Sequence, residues 1–68
     1  MRFTVETERE DDGRWIVEVV ELPGVMKYGQ TRDEAIAQVE VLALPVMADR
    51  IGRGEHPVEP IQITFAAA

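Results

Sequence analysis

The chain contains no cysteine and no serine, and its only histidine is His56. Without cysteine no disulfide can staple a small fold, and no thiolate can hold a zinc ion. A solitary histidine cannot found a zinc site of ordinary composition. Without serine, hydrolysis through a serine nucleophile is excluded. Aromatic residues are few: Trp15, Tyr28 and two phenylalanines. No apolar run approaches the ~20 residues a helix needs to cross a bilayer. The N-terminus also lacks the apolar stretch of a secretory signal, so a cytoplasmic location is expected. Basic residues are the minority, 7 against 13 acidic ones, for a net charge of −6. A phosphate-binding surface needs the opposite balance. Arg9, Arg14, Lys27 and Arg32 are interleaved with acids and build no basic stripe beside Trp15 or Tyr28, so direct nucleic-acid binding is not expected.

What is present fits one small folded domain spanning residues 1–68, with 46% apolar residues arguing against disorder. A chain of this size buries only ~60% of the surface its unfolded form exposes, and one such core rarely supplies more than ~3–5 kcal/mol. Self-association, as a dimer or tetramer, or a protein partner is therefore expected.

Residues 2–9 alternate, Phe3 and Val5 on one side and Thr4, Glu6 and Glu8 on the other, as in a half-buried strand. Asp11-Asp12-Gly13 supplies a turn with Gly13 at the positive-φ position. Residues 14–20 form a second strand. Trp15, Val17 and Val19 share its inner face, while Ile16, Glu18 and Val20 share an outer face that is not cleanly polar. Leu22-Pro23-Gly24 ends that strand, and a short third strand follows from Val25 to Tyr28. Thr31-Arg32-Asp33-Glu34 is a capping-box signature.

From Arg32 to about Arg50, Ala35, Ile36, Val39, Leu42, Ala43, Val46 and Met47 mark one helical stripe. Pro45 removes an amide donor and crowds the Val41 carbonyl, predicting a kink or a break near Leu44. Gly52 and Gly54 end the helix, and Pro57 and Pro60 hold the connection extended. Ile61, Ile63 and Phe65 alternate in a final strand, and three alanines follow it.

The order β-β-β-α-β predicts a two-layer α+β fold with sheet order 3-2-1-4, the fourth strand parallel to the first. One helix covers one face, packing on Phe3, Val5, Trp15, Val17, Val19, Ile61, Ile63 and Phe65. The other face stays open.

That order is also the first half of an RNase H-like nuclease. Two-metal chemistry needs carboxylates converging from separate elements. The first strand offers Glu6 and Glu8, but the last offers only Gln62 and Thr64, so neither catalysis nor a metal or other cofactor is expected. The run Glu8, Glu10, Asp11, Asp12 does not match a calcium loop, and Gly52-Arg53-Gly54 does not match a phosphate loop.

The segments Glu10-Asp11-Asp12-Gly13-Arg14-Trp15-Ile16-Val17-Glu18-Val19, Glu21-Leu22-Pro23-Gly24-Val25 and Tyr28-Gly29-Gln30-Thr31-Arg32-Asp33-Glu34-Ala35, with Val41 to Leu44 and Ala48 to Arg50, resemble the HicB family of antitoxins. The similarity covers about residues 3–56. It implies a partial RNase H-like domain without nuclease activity that neutralises a HicA-type toxin, a small basic RNA-cleaving protein. Many members carry a C-terminal DNA-binding segment. This chain stops after the fourth strand, so it is expected to be a short form lacking that segment. The expected toxin contacts are Glu8, Glu10, Asp11, Asp12, Glu18 and Glu21. The expected self-association surface is the open face at Ile16 and Val20, or the edge from Val25 to Tyr28. The alternative is a solitary oligomeric scaffold without a toxin partner.

Overall fold

The computed structural model describes residues 1–55 and 60–68. His56 and Pro57, discussed above, lie outside the described residues. The elements are strand β1 (Arg2–Arg9), strand β2 (Trp15–Val19), strand β3 (Met26–Gly29), helix α1 (Arg32–Gly52) and strand β4 (Thr64–Ala67). They form one four-stranded sheet in the order β3-β2-β1-β4, with one helix packed against it. β1 is antiparallel to β2 and β2 to β3, whereas β4 runs parallel to β1.

Two glycines shape the turns. The β1–β2 loop closes with Glu10 N–H donating to Arg14 C=O at 2.7 Å and Gly13 N–H to Glu10 C=O at 3.0 Å, Gly13 sitting at φ 90°. This is the three-residue hairpin loop with glycine in the left-handed position. At the second turn Val25 N–H donates to Leu22 C=O at 3.0 Å, with Pro23 and Gly24 (φ 85°) as the central pair, the arrangement of a type II turn. The turn folds Leu22 and Val25 inward, leaving them 1% and 5% exposed. Both join the core with Phe3, Val5, Val17, Val19, Ala35, Val39, Ala43 and Met47. Leu22, expected only to end a strand, is among the most buried side chains of the chain.

α1 begins at the Thr31 cap, whose Oγ1 accepts from Glu34 N–H at 3.1 Å. The reciprocal half of the capping box is not made, because the Glu34 carboxylate accepts from Gln38 Nε2 at 3.1 Å instead. The helix runs unbroken through Pro45 for 21 residues. Pro45 is exposed, and Val41, whose carbonyl it leaves unpaired, is 69% exposed. The missing hydrogen bond therefore falls on the side facing water, where a water molecule can donate to the carbonyl instead. At the far end Gly54 N–H donates to Ile51 C=O and Glu55 N–H to Arg50 C=O, both at 3.0 Å, with Gly54 at φ 79°. That pair of bonds is a Schellman cap.

The last strand differs from its expected limits. β4 starts at Thr64, and two of the terminal alanines lie in it, with pairings Arg2↔Thr64, Phe3↔Phe65, Thr4↔Ala66 and Val5↔Ala67. Pairing rather than apolar alternation sets this boundary, since β1 offers strand partners only from Arg2 onward. Ile61 therefore precedes the ladder and is 37% exposed, outside the core. Ile63 and Phe65 pack against it, and the Phe3 and Phe65 rings meet at a centroid distance of 5.7 Å.

Gly29 is buried at the end of β3, where an added Cβ would stand 2.8 Å from the Ala35 backbone nitrogen and 2.9 Å from its Cα. Only a residue without a side chain lets the first turn of α1 settle this closely on the strand. Gly29→Ala is expected to destabilise the fold by about 1–3 kcal/mol through forced overpacking. Urea unfolding checks this, with Gly52→Ala, where no atom lies within 4 Å of the added carbon, as the tolerated control.

Candidate functional site

The face of the sheet opposite α1 has no covering layer among the described residues. Strand pairing arranges its side chains in rows: Glu8, Ile16 and Tyr28 in one, Glu6, Glu18 and Met26 in the next. Val20, 48% exposed, continues the β2 column beside Thr4, to whose carbonyl its N–H donates at 3.0 Å. Ile16, Val20, Met26 and Tyr28 are its apolar part, and Glu6, Glu8 and Glu18 its acidic part. Glu6, Thr7, Glu8, Ile16 and Glu18 line a shallow depression of about 150 Å³.

Glu6 and Glu18 stand directly across from each other on adjacent strands. Like charges in that position destabilise a sheet. No side-chain hydrogen bond or ion pair to either carboxylate occurs among the described residues. The strand alternation puts Glu6 on the outer side of β1, and the register set by the Asp-Asp-Gly turn adds that it stands opposite Glu18.

The residues expected to contact a toxin divide into three groups. Glu8 and Glu18 lie on the open face. Glu10, Asp11 and Asp12 lie at the hairpin tip, where Asp12 is already engaged: its Oδ1 accepts from Arg14 N–H at 3.0 Å and its Oδ2 from Arg14 Nε at 2.7 Å. The backbone donor and then the guanidinium hold the Asp12 carboxyl below its ordinary range. Arg14 in turn stacks over Tyr28, its guanidinium carbon 4.5 Å from the ring centroid, a cation–π contact tying the hairpin tip to β3.

Glu21 stands apart from both groups and has a structural task. Its Oε1 accepts from Thr4 N–H at 2.7 Å and its Oε2 from Thr4 Oγ1 at 2.9 Å. Since Val20 N–H donates to Thr4 C=O, the carboxylate completes the last rung of the β1–β2 ladder.

The expected self-association residues also separate. Ile16, Val20 and Tyr28 border the open face, but Val25 does not. Its side chain is buried in the core and its carbonyl accepts from Val19 N–H at 3.0 Å, so it cannot meet a second molecule.

A second surface lies on the helix side of β3. Lys27, Ala37, Gln38, Val41, Leu42 and Pro45 line an open groove of about 430 Å³, and Leu44 beside it is 49% exposed. The sequence stripe reaches it only at Leu42, because Ala37, Gln38, Val41 and Pro45 fall off the buried face of α1.

Among the described residues no group of three His, Cys, Asp or Glu side chains is placed to share a cation, and no helix is long and apolar enough to cross a membrane. Comparison with family models, with curated proteins and with solved structures returned no match.

The two donors from Thr4, the backbone N–H first, lower the Glu21 pKa from its ordinary 4.5. A carboxyl lowered in the folded state adds stability above its unfolded-state pKa and loses it as pH falls through the folded-state value. Glu21→Gln is therefore expected to be less stable than the parent at neutral pH, with the gap closing as pH falls below 4.5. Thermal unfolding at a series of pH values checks this. A gap independent of pH would assign the loss to packing.

Proposed function

We propose that this chain is a non-catalytic protein-binding domain of the antitoxin type, whose open sheet face receives a small basic RNA-cleaving protein. The observation that carries the reading is the Glu6–Glu18 rung, flanked by Glu8 and floored by Ile16. Two facing carboxylates without a cation lower the stability of the free domain, and a lysine or arginine arriving from a partner removes that repulsion. The apolar floor supplies area that excludes water once the cation is seated. The net charge of −6 steers a basic protein toward the domain before contact. The sequence resemblance to the HicB antitoxins supports the same reading and gives the partner's class, a HicA-type toxin.

The alternative, an oligomeric scaffold without a toxin, draws on a different observation: the apolar groove between β3 and α1.

Glu18→Gln separates the two effects of the acidic rung. The free domain is expected to gain ~0.2–1 kcal/mol of stability from relief of the cross-strand repulsion. Affinity for a catalytically inactive HicA-type protein is expected to fall, and Glu6→Lys to weaken it at least about tenfold, the 1.4 kcal/mol scale of one lost charge contact. Calorimetric titration at two salt concentrations reads both. No binding by the parent domain, or binding indifferent to both substitutions, overturns the proposal.

A further inference from the structure

We propose that the outer edge of β1, from Glu6 to Arg9, receives an extended segment of a partner protein whose side chains alternate basic and acidic. The inference rests on the protein-binding reading above and adds the form of the segment that binds.

The backbone phase of β1 follows from its bonds on either side. Toward β2, Val20 N–H donates to Thr4 C=O and Glu10 N–H to Arg14 C=O. Toward β4, Thr64 N–H donates to Met1 C=O and Ala68 N–H to Val5 C=O. Even-numbered residues of β1 therefore turn their main-chain groups to β2, and odd-numbered ones turn theirs outward. β1 runs to Arg9, but its pairing with β4 covers only Arg2 to Val5. Thr7 and Arg9 thus aim N–H and C=O groups at a side where no described residue pairs with them. A strand edge of this kind is a template for another extended chain.

The two sides of that edge carry opposite charge. Glu6 and Glu8, both exposed, flank it on the open face. On the helix side stand the exposed Arg9 and, reaching from α1, Arg32, whose Nε donates to Thr7 Oγ1 at 3.3 Å. None of these four side chains takes part in an ion pair among the described residues. A strand sends successive side chains to opposite faces. A segment paired with this edge therefore meets carboxylates with every second residue and guanidiniums with the residues between. Basic residues in the first set and acidic residues in the second satisfy both sides. The basic ones also extend the Glu6–Glu18 row at its β1 end, where the facing carboxylates lack a cation.

Charge also selects against other occupants. A second copy paired antiparallel about Thr7 would set Glu6 against Glu8 of its image on one face, and like charges so placed repel. A purely basic segment would bring cations onto Arg9 and Arg32. A helix keeps its main-chain groups bonded within itself and offers nothing to Thr7 and Arg9.

The probe is a capped synthetic peptide of about six residues, an ordinary strand length, alternating lysine and glutamate. A second peptide of the same composition carries its lysines in one half and its glutamates in the other. Nuclear magnetic resonance titration of the full isotope-labelled chain reads both. The alternating peptide is expected to shift the Thr7 and Arg9 amides and slow their hydrogen exchange, with no such gain at Glu6 and Glu8, whose amides already face β2. It is expected to bind about tenfold more tightly than the block peptide, the effect of a few opposite-charge cross-strand pairs. Glu8→Arg, at an exposed position, is expected to abolish that preference with unchanged far-UV circular dichroism. No shift by the alternating peptide at millimolar concentration, equal binding of the two peptides, a Thr7 amide already slow in the free chain, or a preference that survives Glu8→Arg overturns the docking edge. The Glu18→Gln titration with the whole partner fails separately if the protein-binding reading is wrong, so the two failures are distinguishable.

Discussion

The contact between Gly29 and Ala35 is the constraint on which the rest of the arrangement depends. Because Gly29 has no Cβ, the first turn of α1 closes directly on the end of β3, and the Thr31 cap starts the helix only two residues after the strand ends. A helix anchored at that corner runs back over β2 and β3 rather than over the middle of the sheet. Its inner stripe of Ala35, Val39, Ala43 and Met47 is then fully occupied. Its outer ridge at Val41, Leu44 and Pro45 stands beside β3 with no described residue covering it. The same placement leaves the opposite face of the sheet uncovered among the described residues. Both surfaces argued above are consequences of one close approach.

A single helix over four strands makes a small core, ten buried apolar residues among those described, so each local device matters more than it would in a larger domain. Most of them agree with the fold. Glycine holds the left-handed position in both tight turns and in the helix C-cap, and threonine caps the helix start. Consistency of that kind is what makes a short chain specify one structure. The Glu6–Glu18 rung is the exception, because no described residue compensates it. A local rule broken on an otherwise consistent sheet points to a use outside the folded monomer, and a partner cation is the simplest group that satisfies two facing carboxylates.

Strand order and the buried helix stripe were legible in the sequence because each was written in a periodicity or a turn. Asp11-Asp12-Gly13 specified the hairpin, and Leu22-Pro23-Gly24 the next reversal. What was not legible depended on distance contacts. Leu22 looked like punctuation, and only the type II turn shows that it folds inward beside Val25. Ile61 carried the right alternation but had no strand to pair with, so β4 slid toward the terminal alanines. Pro45 read as a breaker because its orientation was unknown, and on the water-facing side the helix tolerates it. The acids of the candidate site were visible as residues but not as a site. Glu21 looked like Glu18 in the sequence, yet one closes a backbone rung while the other faces water, and no periodicity distinguishes them.

Tyr28 joins the open face to the hairpin tip. Its ring lies beneath the Arg14 guanidinium, and Arg14 in turn holds Asp12. Tyr28 shares a row with Ile16 and Glu8, while Glu6 and Glu18 stand in the next. The Arg14 cation is therefore engaged by the tip and the tyrosine ring, and the two facing carboxylates have no ion-pair partner among the described residues.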